Sequence, residues 1–189
     1  MGSQTGTPAA HDLLLRLAGR LPDELLWRLR DWVAGGADES VGALLPRALL
    51  RHRTGVTDEE RALLAEVVPA GSASRRLVGA VPSCEVPAPP SFGPGEPDLA
   101  AWSATSVVRD EADELRVAVR DDGARVLLVR AHDRPHLLTA ALQRLLRVHG
   151  EHVPRVEIWT GDRAPGPYHE AAYESAAPLW SRPPVPTGS

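Results

Sequence analysis

The chain has 189 residues, with 21 basic residues that are all arginine, 25 acidic residues, a formal net charge of −4 and 43% hydrophobic content. That length suits one domain or two small ones, and the apolar content is ample for a buried core. Ten Arg face ten acids in the first 76 residues, and eleven Arg face thirteen acids from Asp98 onward, so no net field draws the chain to nucleic acid or an anionic membrane.

The single cysteine, Cys84, excludes an internal disulfide and a cysteine-based zinc site. The N-terminus lacks a basic-then-apolar signal, and no apolar run approaches membrane length. These features lead to the expectation of a soluble, cytoplasmic protein. The richness in Ala, Gly, Pro and Arg, with no Lys, reads as the bias of a GC-rich bacterial genome.

In chain order, residues 1–8 are small and polar and are expected to be disordered. Residues 9–81 read as a small helical bundle. Leu13, Leu14, Leu17 and Leu21 form one stripe. Leu25, Leu26, Leu29, Trp32 and Val33 form a second, behind Asp23 and Glu24 at the positive end of their helix. A third helix starts near Asp38 and carries Pro46, which predicts a kink or two short helices. Thr57 and Glu60 have the spacing of a capping box ahead of Leu63, Leu64, Val67 and Val68. A short helix is expected over 74–80.

Residues 82–97 hold six prolines and two glycines and read as an extended linker. Residues 98–181 then read as an α+β domain, with a loose tail at 182–189. A strand is predicted near 105–109. Leu115, Val117 and Val119 alternate with Arg116, Ala118 and Arg120, giving a strand with one wet face, and Asp121-Asp122-Gly123 predicts a hairpin turn.

The stretch 124–160 organises this half. Val126-Leu127-Leu128-Val129 is a strand covered on both faces, and Leu138, Ala141, Leu142, Leu145 and Leu146 recur at helical spacing. Val156-Glu157-Ile158-Trp159 makes a further strand. A strand, crossover helix and strand in one sheet should be parallel and right-handed. The fold class is therefore α+β: a helical bundle, then a four-stranded mixed sheet made of an antiparallel meander and one parallel crossover, with helices packed on it. A last helix is expected from Pro167, ended by Pro178, with Trp180 packing back.

A parallel pair brings the ends of both strands to one rim, where open α/β sheets bind ligands. His132 and Asp133 follow the first of these strands; Asp162 and Arg163 follow the second. Near the helix N-terminus at Pro135 they make a candidate for anion binding or proton transfer. The plainer reading has Asp133 capping the helix and the others solvated. His132 and His136, and His149 and His152, stand at metal-like spacings, but the pairs sit at opposite ends of one helix, so no metal or cofactor is expected. Arg47, Arg51 and Arg53 suggest a phosphate-contacting helix, although cations stabilise a helix C-terminus without any partner. Trp159, Tyr168, Tyr173 and Trp180 are either core or anchors for a partner protein.

In element order alone, a helix, three strands, a helix and a strand resemble the restriction-endonuclease-like core. That family holds Mg²⁺ with an acid on the second strand and an acid-x-lysine on the third. Here the third strand, Val126–Val129, has no acid and the chain has no lysine, so the resemblance does not extend to catalysis. The expectation is a non-catalytic interaction or adaptor protein whose partner is another protein, with homo-oligomers possible and membrane or nucleic-acid partners not expected. The alternative is a small enzyme or ligand-binding domain using the strand-end loops. A third reading is a DNA-binding regulator acting through the helix at 47–53.

Overall fold

Five helices precede the first strand in the computed structural model, which describes residues 6–162 and 164–183. They are α1 (Gly6–Arg16), α2 (Asp23–Ala34), α3 (Asp38–Arg51), α4 (Asp58–Val67) and α5 (Arg75–Val78). Their common core holds Leu13, Leu14, Leu17, Leu29, Leu45, Leu49 and Leu64, all fully buried. The capping box is formed as expected: Thr57 accepts from the backbone N–H of Glu60, and the Glu60 carboxylate accepts from that of Thr57.

Three expectations for this part are corrected. Residues 6–8 are helical rather than disordered, and Thr7 donates to Asp38 at 2.8 Å. Pro46 lies inside an uninterrupted α3. Trp32 is exposed, and it is Arg30 that points inward. A stripe calculated from apolar residues alone misses a buried cation, which is tolerated only because it finds partners.

The remaining elements are β1 (Phe92–Pro94), α6 (Leu99–Val108), β2 (Ala112–Arg120), β3 (Arg125–Ala131), α7 (Pro135–Val148), β4 (Val156–Thr160), α8 (Pro167–Ser175) and β5 (Ala177–Ser181). The sheet runs β1-β2-β3-β4, with β5 also paired to β2. β1 meets β2 at Ala118 to Arg120 and β5 meets it at Glu114 to Val117, so the two short strands follow one another along β2. The β2–β3 hairpin turns at Gly123, whose φ of +80° favours glycine. β3 and β4 are parallel, in register from Leu127–Val156 to Ala131–Thr160. The fold is α+β, with a helical N-terminal region and a mixed sheet.

The first predicted strand, 105–109, is the second half of α6. Ala100, Ala101, Ala104 and Val108 are buried at helical spacing, and Asp98 caps the helix by accepting from Ala101 N at 2.9 Å. The ordering that resembled a nuclease core goes with it. The segment read as linker contributes β1. It is also tied back at its start, where Val56 N donates to Pro82 O and Cys84 N donates to Val56 O. Trp180 packs back on the core as expected, and it does so from within β5, a strand not anticipated. At the tail, Arg182 N donates to Asp113 O at 2.7 Å, so 182 is anchored, while 184–189 lie outside the described residues.

Period 2 sorts the sheet's side chains into two layers. One face sends Leu115, Val117, Leu127, Val129, Val156 and Ile158 against α6 and α7. The other sends Ala118, Val126, Leu128 and Trp159 against α8 and Leu15 of α1. The open edge of β4 is covered by side chains of the first two helices. His11 Nε2 donates to Ile158 O at 2.8 Å, and Arg30 Nη1 donates to Val156 O at 2.9 Å. Those outward carbonyls are the groups that an unpaired strand edge leaves unsatisfied. No described helix is long and apolar enough to cross a membrane.

Candidate functional site

The parallel pairing places the loops after β3 and β4 on one rim, and a charged network forms there. His132 Nε2 lies 2.8 Å from Asp113 Oδ1. Arg130 reaches Asp162 at 3.6 Å, Asp113 at 3.8 Å and Glu114 at 3.5 Å. The hydrogen bond from His132, backed by the charges of Arg130 and Arg182, holds the Asp113 carboxyl below the usual carboxylate range. The candidates are therefore neighbours but not one another's partners: His132 is taken by Asp113, and Asp162 is fully solvated. Asp133 does not cap α7; it accepts from Arg134 N at 2.7 Å, and Arg134 sits in the left-handed region at φ +41°. Arg163 lies outside the described residues. The sequence signal missed Asp113, because its aspartate sits at the opposite end of the β2–β3 hairpin from the turn.

The other sequence candidates separate. Trp159 and Tyr168 are interior residues and offer no surface anchor. Tyr173 is half-buried, donates to Glu114 and carries the Arg116 guanidinium 4.1 Å above its ring. Trp180 is half-buried against the α6–α7 face. Arg47, Arg51 and Arg53 are exposed and enter no ion pair among the described residues. His136 lies beside His11, with ring centroids 6.4 Å apart. Among the described residues no group of three or more His, Cys, Asp or Glu side chains is placed to hold a metal ion.

Sequence reasoning did not find the most buried polar cluster. Arg30 of α2 grips Glu157 of β4 with both nitrogens, each contact 2.8 Å, and also donates to Leu14 O at 3.1 Å. His169 of α8 bonds the same carboxylate at 3.0 Å. Burial pushes the Glu157 carboxyl up, but the charge of Arg30 and the bond from His169 outweigh it and hold the group below its usual range. The one available signal is that Glu157 stands among Val156, Ile158 and Trp159 of β4, all of them core.

A third feature is apolar and exposed. Asp98, capping α6, pairs with Arg125, which also pairs with Glu151 just beyond α7. That links the first turn of α6 to the last turn of α7. Leu99 is 74% exposed, Trp102 53% and Val148 84%. Leu99 and Trp102 are three residues apart and share one face of α6.

No protein-family model matches the chain, nor does any curated protein or solved structure. The site itself therefore carries the functional argument.

Proposed function

We propose that the chain is a non-catalytic interaction or adaptor protein, working in a bacterial cytoplasm, that docks another protein on the apolar surface of α6 and α7. The observation that carries this reading is the solvent exposure of Leu99, Trp102 and Val148 where two packed helices are tied end to end. Clustered apolar surface is costly to leave in water and marks contact sites, and tryptophan is a frequent anchor in them. The rim network supports the same choice: its histidine is already paired with Asp113, and Glu114 accepts from Arg116 and Tyr173.

Cross-linking capture in the source organism tests it, comparing the native chain with Leu99→Glu and Trp102→Glu. The reading expects a specific protein lost with either variant while the melting temperature stays put. Unchanged capture by both variants sinks it. A second reading, ligand binding at the strand-end loops, draws on the strained Arg134 beside the His132–Asp113 pair. It requires small-molecule binding that His132→Ala abolishes.

A further inference from the structure

From Glu85 to Pro90 the chain reads Glu-Val-Pro-Ala-Pro-Pro, and that order restricts its own backbone. Proline fixes φ at about −65° at positions 87, 89 and 90. A residue that precedes proline is pushed to extended conformations, which covers Val86, Ala88 and Pro89. The stretch is therefore confined to the neighbourhood of polyproline II, a left-handed helix of about three residues per turn with no internal hydrogen bonds. It lies outside every helix and strand, and among the described residues none of its backbone groups is hydrogen-bonded to the protein.

Both ends of this strap are pinned. Upstream, Cys84 N donates to Val56 O at 3.0 Å, and Arg61 donates to Val81 O and to Ser83 Oγ, each at 2.9 Å. Downstream, Asp121 N donates to Ser91 O at 3.0 Å, and β1 begins at Phe92. Between these anchors residues 85–89 are exposed, Val86 by 64%. At about three residues per turn, Val86 and Pro89 share one face, and Pro87 and Pro90 share the next. The strap thus presents Val86-Pro87 and Pro89-Pro90, two pairs of an apolar residue followed by proline, one turn apart. Its carbonyls are free to accept. The exposed charges at its upstream end are carboxylates: Asp58 and Glu85 border one shallow depression with Val86.

We propose that this strap is a docking ridge for a partner protein that recognises polyproline segments. The partner's groove is lined by aromatic side chains that take the two apolar–proline pairs. Its Trp or Tyr donors meet the free carbonyls, and a cation at its edge meets Glu85 and Asp58. Such grooves favour a ligand already in this conformation, and pinning both ends removes much of the ordering cost of binding. The strap shares no residue with the α6–α7 surface, so it stands or falls separately from the docking reading.

An isolated WW domain, a reader of proline-rich segments, serves as the probe, chosen with an arginine bordering its aromatic slots. It is titrated into the carbon-13-labelled full chain and followed by NMR. Saturable binding is expected, with the Val86 and Ala88 methyl resonances moving and those of Leu99 and Trp102 still. Pro87→Ala combined with Pro89→Ala should weaken binding about tenfold, the loss of one anchor. Both prolines are exposed and outside every helix and strand, so the variant keeps its fold, which far-UV circular dichroism verifies. Glu85→Gln combined with Asp58→Asn should weaken binding about threefold, the scale of a solvated ion pair. Any of four results overturns the proposal: the probe does not saturate, the folded proline variant binds as well as the native chain, the charge variant leaves affinity unchanged, or the moving resonances are those of Leu99 and Trp102.

Discussion

Arg30 of α2 and Glu157 of β4, 127 positions apart, meet through two parallel 2.8 Å contacts with both side chains under 5% exposed. The pair joins the helical region to the sheet, because Arg30 simultaneously holds the carbonyls of Leu14 and Val156. Guanidinium suits this role: its planar fork matches the carboxylate, and spare donors remain for backbone oxygens.

Breaking that pair from one side should be costly. Arg30→Ala leaves Glu157 buried with only His169, and a loss of about 3–5 kcal/mol is expected in urea unfolding. Replacing both partners, Arg30→Met with Glu157→Leu, should cost clearly less than Arg30→Ala alone, since no buried charge is then stranded. A single-variant loss below about 1 kcal/mol contradicts the buried geometry.

His11 gives the stability a pH dependence of known sign. Burial drives its pKa down from 6.5 to about 4, the bond to Ile158 O opposing and the charges of Arg30 and His136 assisting. The folded value lies below the unfolded one, so His11 contributes fully above about pH 6.5. That contribution is lost as pH falls toward 4, because the unfolded chain takes up the proton first. The full span is on the order of 3 kcal/mol. Glu157 and Asp23, also held below their usual values, act at more acid pH. Unfolding measured at pH 7, 5.5 and 4.5 should show a steeper decline for the native chain than for His11→Gln, which can still donate to Ile158 O. Parallel curves count against the buried placement of His11.

Gly42→Ala should destabilise the protein even though alanine favours helices. A Cβ at Gly42 would stand 2.6 Å from Val67 O and 3.0 Å from Pro69 Cδ. Propensity offers about 1 kcal/mol of gain, whereas forcing two packed backbones apart costs about 1–3 kcal/mol. A lowered melting temperature is the expected result, and a raised one shows that α3 and α4 part easily.

At the start of α4, Glu60 serves two partners: one oxygen accepts from Thr57 N and the other from Arg20 at 2.6 Å. Thr57→Ala should cost about 1 kcal/mol through the lost cap. Glu60→Gln keeps an acceptor for Thr57 N but removes the charge facing Arg20, and because that pair is largely buried its loss should change little with added salt. A variant as stable as the native chain would falsify the ion-pair assignment.

Local signals were legible where they depend on neighbours in the chain. The Thr57–Glu60 box, the Asp121-Asp122-Gly123 turn and the β3–α7–β4 unit all follow from spacing and turn chemistry. Residues 105–109 misled because Thr-Ser-Val-Val-Arg has β-branched residues and no distinct period, while the alanines that bury α6 lie ahead of it. β1 and β5 were hidden because each is short and contains proline, which edge strands tolerate. At the rim, the nearness of His132 and Asp162 followed from the parallel pairing; the partner each took did not.

By itself the amino-acid order determined which segments are helical or extended at the clear positions, and that two strands run side by side through α7. Only tertiary structure decided that Arg30, Glu157 and His169 converge, that His11 and Arg30 cover the edge of β4, and that Leu99 and Trp102 face water. The reason is that periodicity reports which face of an element is apolar, whereas a buried charge is placed by partners more than a hundred residues away.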